Sequence, residues 1–310
     1  MNSNSKVDLS VNLGSLRFEN PVIAASGTFG YGLEFSKFVD LNKLGGFCTK
    51  GLSMNPRTGN PVPRMMDTSS GMLNTIGLEN IGLEKFLKDK LPNLEKYQSR
   101  LIVNFFGDTS TEYVEMASAL SDLKRVDALE MNVSCPNVEK GGTQLSSDPD
   151  ILRGVVEAVR NVTDKFLIVK LSPNVTDITK LAVAAEKGGA DALSLINTHV
   201  GMKIDIESRK PWLANVTGGL SGPAIKPMAL AMVYKTVRAV EIPVIGIGGI
   251  TTVEDALEFL MAGARAVQIG TANFIDPSVT IKVIQGLRDY CQKNSLKTLM
   301  DLSPSGLDQL

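Results

Sequence analysis

Residues 243–271 read PVIGIGGITTVEDALEFLMAGARAVQIGT, and this stretch contains one complete unit of a parallel β/α fold. Short apolar runs stand at both ends, from Pro243 to Ile247 and from Ala266 to Ile269. Between them, Thr251-Thr252 precedes the segment from Glu254 to Met261, in which apolar residues recur at helical spacing. The stretch therefore predicts a strand, a capped helix and the next strand of a parallel sheet.

The same alternation recurs along the whole chain. Asp148-Pro149 is a start signal for a helix over Ile151 to Val162, and Gly188-Gly189 and Gly263 are stop signals just ahead of two apolar runs. The eight runs are Pro21 to Ala25, Gly46 to Thr49, Leu101 to Phe105, Ala128 to Met131, Leu167 to Leu171, Ala192 to Ile196, Pro243 to Ile247 and Ala266 to Ile269.

Eight β/α units predict one closed TIM barrel, and we take residues 1–310 as a single domain. The surplus length fits an N-terminal β-hairpin, a C-terminal helix and two long connections, Gly51 to Asn80 and Asn197 to Pro227. The second of these is a long loop after strand 6. Long connections of this kind usually cover or form a site. A doubly wound open sheet remains an alternative, because strand order cannot be inferred from sequence.

Composition restricts the class of ligand. Lys and Arg total 32 against 33 for Asp and Glu, so the chain carries no electrostatic signature of nucleic acid or of an anionic membrane. The three cysteines are scattered and odd in number, which predicts neither a disulfide framework nor a metal site. We find no apolar run long enough for a membrane span. We therefore expect a soluble, cytoplasmic protein that acts on a small molecule.

Barrel enzymes build their sites from residues at the carboxyl ends of the strands. Those positions are Ser26, Lys50, Asn104, Asn132, Lys170, Asn197, Gly248 and Gly270. Asn side chains both donate and accept hydrogen bonds, so they suit a planar ligand with amide edges, and two lysines would stabilise negative charge on it. Any single one of these residues could merely solvate the loop face, but the set predicts one shared cavity.

The last two strand ends predict a phosphate site. Gly246 to Gly249 precedes the Thr251-capped helix, and Gly270-Thr271 follows strand 8, so backbone N–H groups and a helix N-terminus can approach an anion there. Gly222 could join the same cradle. No strand is followed by a G-x-G-x-x-G fingerprint with a later acidic residue, so a dinucleotide is not predicted.

Cys135, which lies just past strand 4 and directly before a proline, is the candidate acid–base residue. A thiol at this face can act as a general base or nucleophile if its surroundings assist ionisation. Cys48, inside strand 2, and Cys291, in the last helix, are interpreted as buried apolar residues. His199 and Trp212 are interpreted as residues of the long loop, with ligand contact as the alternative for the histidine and packing or an interface as the role of the tryptophan.

These motifs resemble those of the dihydroorotate dehydrogenases, and specifically the class 1B catalytic subunits, along nearly the whole chain. Neither the hydrophobic N-terminal extension nor the serine base of the membrane-bound class 2 relatives is found. The segments that carry the resemblance are Ala25 to Gly30, Lys50, Asn60-Pro61, Ser70 to Leu78, Asn132 to Asn137, Lys170 to Asp177, Ile196 to Thr198, Thr217 to Pro227, Gly246 to Gly249 and Gly270 to Asn273.

The resemblance implies one flavin mononucleotide (FMN) per chain and the oxidation of dihydroorotate to orotate in pyrimidine synthesis. Cys135 would take the C5 proton while hydride leaves C6 for the flavin, with Lys50 and Lys170 assisting. The implied FMN contacts are Ser26, Lys50, Gly51, Asn104, Asn132, Lys170, Ile196, Gly222, Gly248, Gly249, Gly270 and Thr271. The implied substrate contacts are Lys50, Asn74, Thr75, Ile76, Gly77, Leu78, Asn132, Asn197 and Thr198. No metal is implied.

The resemblance also implies a homodimer within a heterotetramer, in which an electron-transfer subunit carries FAD and a 2Fe–2S cluster and passes electrons to NAD. Four alternatives stay open. They are a fumarate-using class 1A enzyme, a flavoenzyme like dihydropyrimidine dehydrogenase, a barrel aldolase with a Schiff base on Lys170, and a barrel that binds flavin without catalysis.

Overall fold

The structure is a computed structural model that describes residues 7–133, 145 and 147–302. Its strands are β1 (Val11–Leu13), β2 (Leu16–Phe18), β3 (Val22–Ala24), β4 (Gly46–Cys48), β5 (Met65–Thr68), β6 (Gly71–Asn74), β7 (Arg100–Phe105), β8 (Ala128–Asn132), β9 (Phe166–Lys170), β10 (Ala192–Leu195), β11 (His199–Met202), β12 (Ile204–Asp205), β13 (Lys210–Pro211), β14 (Thr217–Ser221), β15 (Val244–Ile247) and β16 (Ala266–Ile269).

The helices follow the same chain order. They are α1 (Leu83–Lys85), α2 (Leu91–Leu94), α3 (Ser110–Ser121), α4 (Pro149–Arg160), α5 (Ile178–Lys187), α6 (Lys226–Val237), α7 (Val253–Met261), α8 (Ala272–Ile275) and α9 (Val279–Lys293). A π-helical segment, Phe86–Lys90, joins α1 to α2. Between β3 and β4, two short 3₁₀ turns, Leu33–Phe35 and Leu41–Lys43, take the place of a helix.

Eight parallel strands close into a barrel in the order β3-β4-β7-β8-β9-β10-β15-β16, and β16 pairs back onto β3. This confirms the predicted TIM barrel and excludes the open sheet. Each of the eight apolar runs matches one barrel strand to within one residue at either end. The predicted N-terminal hairpin is β1 paired with β2.

The predicted helices are found, but α4 spans Pro149–Arg160 and not Ile151 to Val162, and one predicted cap needs correction. Asp148 caps α4 by accepting from the N–H groups of Asp150 and Ile151, and Gly188 ends α5. The cap of α7 is Thr252 and not Thr251, since the Thr252 side chain accepts from the N–H of Asp255 in a capping box.

The two long connections are not irregular loops. The hairpin β5-β6 from the first connection pairs with β14 and β11 from the second, and together they form a four-stranded antiparallel sheet in the order β11-β14-β6-β5. Leu73 on β6 lies opposite Leu220 on β14. The second connection adds the small hairpin β12-β13. The predicted long connection after strand 6 is therefore confirmed, and it contains β11 to β14.

The interior of the barrel changes from apolar to polar along its axis. Ile102, Ala128 and Ala266 belong to an apolar cluster that also contains Phe18 of the N-terminal hairpin. Since side chains alternate along a strand, Glu130 faces the same way as Ala128, one step closer to the carboxyl end of β8. The apolar layer thus supports a polar layer nearer the strand ends. Across the described ranges, we find no helix whose length and apolar content would let it cross a membrane.

Candidate active site at the carboxyl ends of the barrel strands

A cavity of about 760 Å³ lies at the carboxyl ends of the barrel strands. It is lined by every FMN and substrate residue predicted from the sequence: Ser26, Lys50, Gly51, Asn74, Thr75, Ile76, Gly77, Leu78, Asn104, Asn132, Lys170, Ile196, Asn197, Thr198, Gly222, Gly248, Gly249, Gly270 and Thr271. Strand-end residues and long-connection residues therefore share one space. Cys135, the predicted base, lies outside the described residues.

The two predicted lysines have different surroundings. Lys50 Nζ lies 3.6 Å from Glu79 Oε2, and its side chain is 29% exposed. Lys170, at the end of β9, is only 6% exposed, and its Nζ lies 3.7 Å from Oε1 of Glu130. The charge of Lys170 is thus held in a far drier environment than that of Lys50, where its effect on a ligand is larger.

Glu130 was missed by the sequence analysis. Its side chain is fully buried, and it accepts from Asn104 Nδ2 at 2.7 Å, Ser194 Oγ at 2.9 Å and Gln268 Nε2 at 2.7 Å. These partners come from β7, β10 and β16, so the carboxylate connects strands from around the barrel. A charged residue inside the apolar run Ala128 to Met131, two positions before Asn132, was the signal that could have revealed it.

The amides at the ends of β8 and β10 contact each other. Asn197 Nδ2 donates to Asn132 Oδ1 at 3.3 Å, and the N–H of Thr198 donates to Asn197 Oδ1 at 2.8 Å. The Tyr113 hydroxyl donates to the carbonyl of Asn132 at 2.7 Å, which fixes the backbone at the end of β8. Donors and acceptors are therefore fixed in the cavity before a ligand enters.

The segment 74–78 is held tightly against Asn60. Asn60 Nδ2 donates to both the carbonyl and the hydroxyl of Thr75, each at 3.0 Å. A Cβ at Gly77, whose φ is +73°, would lie 2.6 Å from the backbone nitrogen of Asn60. Only glycine fits this close approach, so the chain passes the cavity in one fixed path.

Glycines line the end of the cavity that is predicted to hold a phosphate. Gly248 and Gly249 have φ values of +133° and +71°, and a Cβ at either would lie less than 3.0 Å from a neighbouring atom, Ala229 Cβ at 2.6 Å or Lys226 Cβ at 2.7 Å. At Gly270, a Cβ would meet no protein atom closer than 3.7 Å. The backbone N–H groups of this face can therefore be approached closely by a ligand oxygen.

The expected contribution of the next helix is smaller than the sequence analysis predicted. Asp255 Oδ2 accepts from the N–H groups of Thr251 and Thr252, each at 2.9 Å, so these two amides are already paired. Burial opposes the charge, but hydrogen bonds from Lys226, Thr251 and Thr252 lower the pKa of Asp255 to about 2. The glycines and Thr271 remain as the candidates to hold a phosphate.

These donor sets fit FMN. Asn104 Oδ1 is buried at the cavity and has no hydrogen-bond partner in the described part of the chain, so it can accept from an N–H of a ligand ring. Amide and lysine groups at one end and a glycine cradle at the other match a flat, amide-edged ring that carries a phosphate tail.

Two charged pairs in the wall of the cavity were also missed. Arg57 lies 2.6 Å from Asp108 and stacks over the ring of Phe106 at 4.9 Å, while Arg64 lies 2.6 Å from Glu79. Both arginines line the cavity. Their place in the first long connection, already assigned to the site, was the available signal.

The remaining cysteines and aromatic candidates lie away from the cavity lining. Cys48 and Cys291 are fully buried, as predicted, and burial raises the pKa of Cys48 well above its usual value. His199 lies in β11 and not in a loop, and burial lowers its pKa. Trp212 is 43% exposed. The part of the chain that we can describe contains no group of His, Cys, Asp and Glu suited to a metal ion.

Comparison with known proteins agrees with this geometry. The family model for dihydroorotate dehydrogenase matches residues 8–290. A relative from Pelobacter propionicus, named dihydroorotate dehydrogenase B (NAD(+)), catalytic subunit, is 56% identical over 96% of this chain and 98% of its own length. A relative of the same name from Trichlorobacter lovleyi is 55% identical over the same shares. The solved dihydroorotate dehydrogenase from Eimeria tenella, in complex with ferulenol, has a TM-score of 0.79 at 25% identity and covers 98% of this chain and 90% of its own.

Proposed function

The chain belongs to the dihydroorotate dehydrogenase family, and we propose that it oxidises dihydroorotate to orotate for pyrimidine synthesis as the FMN-binding catalytic subunit of an NAD-linked enzyme. The observation that carries the proposal is the single cavity lined by all described residues that were assigned to cofactor and substrate. We take residues 1–310 as one functional domain that works in the cytoplasm. Family membership removes the aldolase from consideration.

The chemistry divides between the cofactor and the chain. A bound FMN would supply the acceptor for the hydride from C6, while the C5 proton goes to a base, so that orotate forms and two electrons stay on the flavin. We assign the base to Cys135, which follows β8 in sequence three residues after Asn132. A thiolate is a suitable base at neutral pH when its environment assists ionisation.

The substrate residues would orient the ring through its polar edges. Asn132 and Asn197 offer both donors and acceptors, which an imide edge requires, and Lys50 offers a positive charge for the substrate carboxylate. The backbone of residues 74–78 would close the same end of the cavity. Because Asn60 and the contact between Asn132 and Asn197 fix these groups beforehand, little ordering is needed when substrate binds.

The cofactor residues would act at two ends. Lys170 would stabilise negative charge at the pyrimidine end of the flavin, and Asn104 would accept from a ring N–H there. Gly222, Gly248, Gly249, Gly270 and Thr271 would hold the phosphate through backbone and hydroxyl groups.

Electrons would leave through a partner. The relatives' names, "catalytic subunit" and "NAD(+)", support a second subunit and NAD as the final acceptor. We propose that the partner carries FAD and a 2Fe–2S cluster and joins a homodimer of this chain, which makes a heterotetramer. The same names favour NAD over fumarate.

The test is an anaerobic absorbance experiment. We expect the purified chain to release one FMN on denaturation, and we expect dihydroorotate to bleach the flavin band with formation of one orotate. Subsequent NAD should leave the isolated chain reduced. A bound flavin that dihydroorotate fails to bleach would refute the function, and rapid reoxidation by NAD alone would refute the need for a partner.

A further inference from the structure

We propose that Glu130 is the positioning residue of this site, an ionised carboxylate below the cavity that holds Lys170 charged and, with Asn104, correctly oriented, and so sets how readily the flavin is reduced. The inference rests on the proposed function for its flavin part. Glu130 does not line the cavity, so it acts through residues that do. None of the roles assigned so far uses it.

The hydrogen bonds around Glu130 fit an ionised acid. Asn104 Nδ2 reaches Oε1, Gln268 Nε2 and Ser194 Oγ reach Oε2, and the Lys170 ammonium lies beside Oε1. An ionised carboxylate only accepts hydrogen bonds, and here donors meet both of its oxygens. Such a network is stabilising when every polar group of the carboxylate is paired, as it is here.

Among the described residues, the charge of Glu130 has one cationic partner. In the described part of the chain, Glu130 forms an ion pair with Lys170, whose Nζ lies 3.7 Å from Glu130 Oε1. Both side chains are nearly or fully buried. Cys48, from β4, also faces this pair, but burial raises its pKa so that it stays neutral. Removing the carboxylate would leave a buried ammonium without a counter-charge, which disfavours the charged form without abolishing it.

The same pair would act on the flavin. Two-electron reduction of the flavin places negative charge near Lys170. The Lys170 ammonium attracts this negative charge, and the Glu130 carboxylate behind the ammonium offsets part of the attraction. Without the carboxylate, the field of the ammonium on the reduced ring is unopposed, as long as the reduced ring keeps the lysine protonated. We therefore expect loss of the Glu130 charge to favour the reduced cofactor.

The variant Glu130→Gln is suited to test this because its neighbours can adapt. The new NH2 replaces only one carboxylate oxygen. Gln268 Oε1 lacks a hydrogen-bond partner in the described ranges, so the Gln268 amide can flip and accept from this NH2, while Asn104 goes on donating to the remaining carbonyl oxygen. The control is Ser194→Ala, which removes one hydrogen bond to the carboxylate and keeps its charge. Thermal unfolding checks that each variant is folded.

The first measurement needs no flavin. Protein prepared without FMN is treated at neutral pH with a small amine-acylating reagent, and labelling of Lys170 is divided by labelling of Lys50, whose counter-charge is Glu79. Since only the neutral amine reacts, we expect the ratio to rise at least about threefold in Glu130→Gln and to stay near the wild-type ratio in Ser194→Ala. An unchanged ratio in Glu130→Gln overturns the proposal.

The second measurement is the reduction potential of bound FMN. We expect the equilibrium to shift toward the reduced cofactor by at least about tenfold in Glu130→Gln, which for two electrons is about 30 mV, and by less in Ser194→Ala. An unchanged potential in folded, FMN-loaded Glu130→Gln also overturns the proposal. If wild-type protein binds no FMN, the proposed function fails, while the labelling ratio still decides whether Glu130 controls Lys170.

A third measurement covers the case in which Glu130→Gln does not fold. Infrared spectra of the wild-type protein distinguish a buried protonated carboxyl from an ionised one. A protonated carboxyl band would be assigned to Glu130 if Glu130→Asp removes it. At neutral pH we expect the wild-type protein to show no band of this kind. Such a band would overturn the proposal.

Discussion

The ends of the barrel strands form the floor of the cavity, and the long connections form its wall. Lys170 in the floor and Arg57 in the wall each lie beside one carboxylate, but their surroundings differ. The Lys170–Glu130 pair has side-chain exposures of 7% and 0%, whereas those of the Arg57–Asp108 pair are 29% and 44%. Charges in a dry environment interact strongly and cannot be replaced by water, while half-exposed charges are screened. The barrel strands therefore hold the drier pair of charges, and the long connections hold the more screened one.

The largest effect is expected at Cys135, which follows a floor strand. Cys135→Ala should keep its flavin and lose at least roughly two orders of magnitude in the rate of flavin reduction by dihydroorotate, because a general base is removed. Anaerobic stopped-flow absorbance measures that rate. Cys291→Ala, in α9, is the control and should reduce near-normally. Near-normal reduction by Cys135→Ala would move the base to another residue.

The next effect is expected in the glycine cradle at the strand ends. Gly248→Ala places a Cβ 2.6 Å from Ala229 at a φ of +133°, so we expect a loss of roughly 1–3 kcal/mol in the free energy of unfolding. FMN affinity should also fall. Gly154→Ala, on α4 with no atom within 4 Å of the new Cβ, should instead gain roughly 0.5–1 kcal/mol. Urea unfolding of flavin-free protein compares the two, and equal effects would show that the cradle is not strained.

A pH-dependent effect is expected at Asp255, behind the phosphate end. Its pKa is lowered to about 2 in the folded protein, so its contribution is present above the ordinary value of 3.8 and is lost as the pH falls toward 2. Asp255→Asn should therefore cost about 1–2 kcal/mol at neutral pH. The difference from wild type should shrink steadily below pH 4 in urea unfolding. A difference that stays constant down to pH 2 would contradict the assignment.

The smallest effect is expected in the wall. Asp108→Asn breaks the ion pair with Arg57, but both partners are partly exposed, so the free energy of unfolding should change by less than about 1 kcal/mol. Added salt should reduce even this difference. A loss larger than that of Asp255→Asn would erase the distinction between floor and wall.

The same division decides what could be predicted from sequence. Ser26, Lys50, Lys170 and Gly270 could be placed because the end of each apolar run fixes where its next side chain lies in a closed barrel. The charge of Glu130 inside an apolar run could have been noticed, but its partners could not be assigned, since they come from strands far away in sequence. The Glu130 side chain lies on the same face of β8 as that of Asn132, two residues earlier in the strand.

The four-stranded sheet in the wall of the cavity could not be predicted, because its strands pair across a long separation in sequence. Asn74 and Gly219, joined by a hydrogen bond, are separated by 145 residues, and neither connection shows a strand signal strong enough to name its partner. The cap at Thr252 was misplaced by one residue for a local reason. Two adjacent threonines can each cap a helix, and the position of Asp255 selects the second.

The most direct test of the central claim is an experimental structure of this chain with FMN and orotate bound. We expect the flavin ring beside Lys170 and Asn104, its phosphate on Gly248, Gly249 and Gly270, and the Cys135 sulfur facing C5 of orotate. A flavin phosphate bound elsewhere, or a Cys135 side chain turned away from orotate, would contradict it.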